Sequence, residues 1–250
     1  GAATAGQLLA RADLALARAE GQGAFAAEVD ADGADAGNAG EQVWHRHLQD
    51  ALAQRRARLA EFVVIDRAGA LSHLECPLRL QLTPDGVFES AARWLPLALR
   101  SKLLPAIDLL AVRLALAAID ADGRERAVNL ALPSLADGAF TAQLRQLLAD
   151  APRAARGLWL EVSEGAAAGH IELLRAFAAM VRPLGVRFGL EHAGHHLYRA
   201  PRLYEIGLDY VKRTSSLLMN NMLTTGAFDA TMEKSTRLFN LQFAPELKVN

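Results

Sequence analysis

The chain has a single cysteine in 250 residues. A disulfide framework within it is excluded, and Cys76 fits a reducing compartment. Long hydrophobic runs are missing too. No stretch approaches the roughly 18 uninterrupted apolar residues of a membrane span. Charge of one sign is not in excess: 27 Lys and Arg stand against 28 Asp and Glu. A net charge of −1 gives no reason to expect DNA or RNA as a partner. No signal peptide is visible, since no apolar core with a cleavage site follows the first charge, Arg11. What the chain does have is apolar residues, 52% of the total, enough for a sizeable core.

Residues 6–20 carry Leu8, Leu9, Ala12, Leu16 and Ala19 at helical spacing, and Gly21 and Gly23 stop the helix. Residues 30–40, "DADGADAGNAG", are small, acidic and glycine-rich and read as a flexible linker. A second helix is predicted over 41–60, with Val43, Leu48, Leu52 and Leu59 on one side. Beyond it, strand-like and helix-like stretches alternate. The strands are "EFVVIDR" (61–67), "LSHLECPLRLQL" (71–82), "RAVNLAL" (126–132), "GLWLEVSE" (157–164), "VRFGLEH" (186–192) and "DYVKR" (209–213). Helical patterns over 87–119, 138–151, 170–185 and 200–207 separate them, with Pro96 and Pro105 marking breaks or first turns. This alternation predicts a parallel α/β architecture. Six strands before residue 214 fit an incomplete (β/α)8 barrel, in which function sits at the C-terminal strand ends.

The polar residues at those ends are Glu75 with Arg79, Asn129, Glu161, Glu191 with His192, and Lys212. A closed barrel brings them to one rim. Carboxylates, an amide, an arginine and a lysine together suit a phosphate ester with a divalent metal.

The order and spacing of these motifs resemble the EAL domain family of bacterial cyclic di-GMP phosphodiesterases and receptors, from about Trp44 to about Arg213. The family's opening Glu-Ala-Leu-Leu-Arg reads Glu75-Cys76-Pro77-Leu78-Arg79 here. The asparagine strand appears as "VNLAL" with Asn129. The Glu-x-Thr-Glu strand appears as "LEVSE" with Glu161 and Glu164, and the lysine strand as "DYVKRT" with Lys212. The resemblance implies an α/β fold, a (β/α)8 TIM-like barrel of EAL type, incomplete at its C-terminus.

Departures from the family pattern point to function. In the family, an Asp-Asp-Phe-Gly-x-Gly loop holds two catalytic metal ions through paired aspartates. Here the loop reads Glu191-His192-Ala193-Gly194-His195-His196. Thr214 stands where an aspartate is usual. The substituted pair implies weak or absent hydrolysis. A rebuilt metal site on His192, His195 and His196 is the alternative, but adjacent His195 and His196 would point in different directions. His45, His47, His73 and His170 are expected in surface or packing roles.

Residues 12–21, "ADLALARAEG", resemble the closing helix of GGDEF domains. The implied organisation is a GGDEF remnant over 1–23, a linker over 24–40 and an EAL-like domain over 41–250, cut from a larger protein. The implied function is a catalytically inactive receptor that binds cyclic di-GMP, like the membrane-bound receptor controlling periplasmic cleavage of a large adhesin. Its ligand residues would be Glu75, Arg79, Asn129, Glu161, Glu191, His192 and Lys212. No catalytic residue, metal ligand or resident cofactor is expected. Its partners would be cyclic di-GMP, a second copy in a homodimer and other domains of the parent protein. It would be cytoplasmic, as part of an inner-membrane protein. Two alternatives stand beside this one: an active phosphodiesterase using Glu191 and His192, and a dimerisation module without ligand. Beyond Arg213 the family's last motifs are missing. "RLFNLQFA" could form a strand, but two strands with their helices are not evident there.

Overall fold

The computed structural model describes residues 35–65, 70–167, 169–193, 203–213, 237–239 and 242–243. The helix expected over 6–20 lies outside these residues. So do residues 30–34 of the expected linker, His195, His196 and Thr214. The described residues fall into two compact units. The first runs up to Arg58 and from Leu78 to Leu110, and the second takes in Leu59–Pro77 and the residues from Ala111 onward. No helix among the described residues is long and apolar enough to cross a membrane.

In the first unit, helix α1 spans Asp35–Ala53. It begins inside the segment read as linker, so residues 35–40 are helical. It also stops earlier than expected, before strand β1 (Ala57–Leu59). Arg55 adopts a left-handed conformation at φ 52°. Its N–H donates to the Leu52 carbonyl, and that of Arg56 to the Ala51 carbonyl. This is a Schellman stop. It normally shows itself as glycine, and arginine in that place concealed it. Lys102 (φ 56°) ends helix α2 (Ala91–Arg100) in the same way, through Lys102 N–H to Leu99 O and Leu103 N–H to Ala98 O. The helical pattern over 87–119 is therefore two helices, and α3 begins at Leu104 and runs to Asp122.

The stretch 71–82, read as one strand, is split at Cys76–Pro77. Pro77 has no N–H for a sheet ladder. Strand β3 (Leu71–Glu75) ends before it, and β4 (Leu78–Gln81) joins β1 and β5 (Phe88–Glu89) in a separate three-stranded sheet.

The second unit is built on an eight-stranded sheet. It adds β2 (Phe62–Ile65), β6 (Arg126–Asn129), β7 (Leu158–Ser163), β8 (Arg187–Ala193), β9 (Tyr210–Arg213), β10 (Arg237–Phe239) and β11 (Gln242–Phe243). The order across the sheet is β10-β9-β8-β7-β6-β3-β2-β11. The ladders from β3 through β10 are parallel, and β2 is antiparallel to β3 and to β11. Helices follow the parallel strands, for example α4 (Leu132–Leu135), α5 (Gly138–Asp150) and α6 (Pro152–Ala155) after β6. Helices α7 (Glu164–Ala167) and α8 (Ile171–Val181) follow β7. Leu174, Phe177, Ala178 and Val181 form the buried stripe of α8, at the spacing of one helix face. The short helix expected over 200–207 is a 3-10 turn, Leu203–Ile206.

Strands β10 and β11 lie at opposite edges of the sheet, yet only residues 240 and 241 separate them. Three peptide units reach about 10 Å, whereas seven strand spacings on a flat sheet span roughly 33 Å. The sheet must curl to bring its two edges toward one another. This is the TIM-like α/β barrel expected from the strand pattern. The tail contributes two strands to it where the sequence offered one.

The inward faces of the strands alternate in bulk. His73 stacks on Trp159 at 4.2 Å between ring centres, and Trp159 tilts against Tyr210 at 4.7 Å. Ala127 and Gly189 are the small neighbours that make room. A Cβ on Gly189 would lie 2.5 Å from two ring carbons of Tyr210. Gly189→Ala is therefore expected to cost roughly 1–3 kcal/mol by overpacking. In a Tyr210→Ala background the added methyl should cost far less, a non-additivity that a double-mutant cycle by chemical denaturation would measure.

Candidate functional site

Strands β3, β6, β7 and β9 of the curled sheet end in polar residues, Glu75, Asn129, Ser163 and Arg213. Strand β7 shows the pattern, with five buried residues and then exposed Ser163. Within that run Glu161 is wholly buried, 0% exposed. It faces the same side as Trp159 two residues before it, as strand alternation requires. The same step of two relates His73 to Glu75, Gly189 to Glu191 and Tyr210 to Lys212.

Lys212 is the centre of the arrangement. Its ammonium hydrogen-bonds Glu75 Oε1 and lies 2.5 Å from Glu161 Oε2. The second contact is a close approach without the geometry of a directed bond. Glu161 Oε1 accepts from the Tyr210 hydroxyl at 2.8 Å. Glu75 Oε1 also meets His73 Nε2 at 2.9 Å, and His73 Nδ1 lies 3.2 Å from the Ser72 hydroxyl. If Ser72 donates to Nδ1, the proton sits on Nε2 and points at Glu75. At the outer edge, the Asn129 amide donates to Glu191 Oε2 at 3.0 Å.

Five of the seven expected ligand residues, Glu75, Asn129, Glu161, Glu191 and Lys212, thus lie at the C-terminal ends of neighbouring parallel strands. All five are joined in two bonded groups, Glu75–Lys212–Glu161 and Asn129–Glu191. His192 follows Glu191 on β8. Arg79 is half-buried on β4, in the three-stranded sheet of the first unit. The sequence reading missed His73, Trp159 and Tyr210, which sit beneath the polar groups. His73 was expected in a packing role, and it does pack, but it also bonds to Glu75. The signal was available: each lies two residues before a rim residue on the same strand.

The electrostatics follow from burial. Burial pushes the Glu161 carboxyl up to about 8, against the pull of Lys212. Burial also disfavours the charge on Glu75, but the His73 bond and the Lys212 ammonium outweigh it and hold that carboxyl below its usual range. Burial likewise opposes the charge on Lys212, yet Glu161 and Glu75 raise its pKa. One lysine serving two carboxylates leaves one negative charge in excess, and Glu161, the more buried, takes the proton. Cys76, by contrast, is an inert thiol, pushed up to about 12 by burial. Among the described residues, the trio His73, Glu75 and Glu161 has donor atoms that all lie within 4.8 Å of one another.

The pattern of the EAL domain family matches residues 45–238. This chain belongs to the EAL domain family. No curated protein sequence matches it. Solved structures do. The Vibrio cholerae LapD S helix-GGDEF-EAL fragment bound to c-di-GMP matches at TM-score 0.68 and 19% identity, over 84% of this chain. The chain spans about half of that fragment, 52%. The FimX EAL domain of Pseudomonas aeruginosa bound to c-di-GMP matches at TM-score 0.69 and 21% identity, over 78% of this chain and 83% of that one. The PaMucR phosphodiesterase in its c-di-GMP complex matches at 0.59 and 20%, over 78% and 80%. At these identities the likeness establishes the EAL barrel fold.

The shifted carboxyl makes a prediction with a definite sign. Between its ordinary value of 4.5 and about 8, folded Glu161 holds a proton that the unfolded chain has released. Rising pH therefore favours unfolding across that window. Glu75, lowered in the fold, acts only below its ordinary range and does not interfere. Stability by urea titration should fall from about pH 5 to about pH 8, and Glu161→Gln should flatten that slope.

Proposed function

We propose that this EAL domain is a receptor module that binds cyclic di-GMP and does not hydrolyse it. The observation that carries the reading is Glu191-His192, standing where the family's metal-holding acidic pair would be. The second anionic ligand is gone, and hard divalent cations need such oxygens. The residues present do not fit the two-metal centre that the family implies. Glu75 and Glu161 already face an ammonium group, and Glu191 accepts from Asn129.

Binding asks for less than hydrolysis does. Arg79 supplies a guanidinium for a phosphate oxygen. Asn129 and Glu191 offer an amide and a carboxylate for phosphate or ribose edges at the rim. Lys212 cancels charge that would otherwise repel the phosphates. Glu161, holding a proton, adds no repulsion of its own, and His192 completes the ligand set. The c-di-GMP found in the similar LapD, FimX and PaMucR structures supports the choice of ligand. The match to a longer S helix-GGDEF-EAL chain supports a parent protein with further domains. We further propose that residues 1–23 are a GGDEF remnant, 24–40 a linker and 41–250 the EAL domain of a homodimer on the cytoplasmic side of an inner membrane. The second reading, an active phosphodiesterase, draws on the PaMucR likeness and on the donor trio beneath the rim.

Calorimetry with cyclic di-GMP should show binding. Incubation with cyclic di-GMP and Mn²⁺, followed by chromatography, should yield no linear product. Steady turnover abolished by His192→Ala would favour the phosphodiesterase. Arg79→Ala should weaken binding by roughly 2–4 kcal/mol, the scale for a desolvated charged hydrogen bond; unchanged affinity would remove Arg79 from the site.

A further inference from the structure

We propose that Glu125, at the end of the barrel opposite the rim, is a positioning residue for ligand binding. Glu125 stands immediately before β6, and Arg187 opens β8. Alternation along β8 puts Arg187 on the face of Gly189 and Glu191, and the sheet register sets it beside Trp159 on β7. The Glu125 carboxylate touches both. Its Oε2 accepts from the Trp159 indole N–H at 2.8 Å and pairs with the Arg187 guanidinium. The same guanidinium lies over the Trp159 ring, 4.8 Å from its centre. The Glu125 and Arg187 side chains are 33% and 42% exposed, whereas Trp159 is 3% exposed. A buried indole N–H takes an acceptor, and Glu125 supplies it.

Trp159 carries this constraint toward the rim. Its ring stacks on His73 at 4.2 Å and tilts against Tyr210 at 4.7 Å. His73 Nε2 meets Glu75 Oε1 at 2.9 Å, and the Tyr210 hydroxyl donates to Glu161 Oε1 at 2.8 Å. Both rings that hold the buried carboxylates thus rest on one indole, and Glu125 decides where the N–H edge of that indole points. A binding constellation works when it is held to about 0.5 Å by side chains whose own rotamers are locked. Stacking alone does not lock this one. A ring turned over about its Cβ–Cγ bond would still present flat faces to its neighbours, but its N–H would point away from Glu125. Glu125 touches no ligand in this role. The role rests on the receptor reading and extends it to the far end of the barrel.

Wild type, Glu125→Ala and Glu125→Gln would be compared by calorimetry with cyclic di-GMP, with folding checked by near-ultraviolet circular dichroism. Glu125→Ala should bind about two- to thirtyfold more weakly, the usual span for coupling through packed side chains. Glu125→Gln keeps an acceptor for the indole and should recover most of that loss. In a Trp159→Phe background, which has no indole N–H, Glu125→Ala should cost no further affinity. Glu125→Leu, also without an acceptor, takes the place of Glu125→Ala if that variant does not fold. In ligand-free protein, the carboxyl carbon resonances of Glu75 and Glu161 should move in Glu125→Ala and stay in place in Glu125→Gln. A residue that only stabilised the fold would lower the melting temperature and leave both the affinity and those resonances unchanged. That result would overturn the proposal, as would an equal loss of affinity in Glu125→Gln or in the Trp159→Phe background. A wild-type chain that binds no cyclic di-GMP would end the receptor reading, and the two resonances would still decide whether Glu125 positions these carboxylates.

Discussion

Lys212 on β9 bonds to Glu75 on β3, four places away in the strand order, and to Glu161 on β7, two places away. On a flat sheet β9 and β3 would stand about 19 Å apart, beyond the combined reach of the two side chains. The ion pair exists only because the sheet curls. It is also a constraint on the curl, since each partner left alone would be a buried charge costing about 3–5 kcal/mol. The small residues Ala127 and Gly189, the aromatic floor and the protonated carboxyl all serve to make that one cluster tolerable in the interior.

The rim was legible in the sequence for a physical reason. A parallel strand buried on both faces reads as an apolar run, so a carboxylate, amide or lysine at its end stands out. Glu75, Asn129, Glu161, Glu191 and Lys212 were each visible that way, and the strand alternation with helices gave the barrel. What the residues do to one another was not visible. Lys212 was expected to act on phosphate; in the fold it is shared by two carboxylates of this chain. That depends on which strands the curl brings face to face, which no local pattern encodes.

The remaining misses have local causes. Arg55 and Lys102 occupy left-handed stops where glycine is usual, so two helix ends went unread. Pro77 ended one strand and let the chain leave for another sheet, although it lay inside an apparently continuous run. His73, Trp159 and Tyr210 looked like ordinary core residues, and by packing they are. Their chemical role comes from lying one inward step beneath Glu75, Glu161 and Lys212. A reading that paired each rim residue with the residue two before it would have found the floor.

Strands β10 and β11 flank residues 240–241 but cap opposite edges of the sheet. Val64 pairs with Phe243, so this ladder joins positions 243 − 64 = 179 residues apart. Contacts so distant in sequence form late and slowly, after the chain entropy of the intervening loop has been lost. As the chain leaves the ribosome, every strand from β2 to β9 emerges before the seam can shut. Until then β2 and β9 present open edges, the kind that recruit strands from other chains. Crowded expression, more than heat, is the condition under which this barrel is most exposed to misassembly.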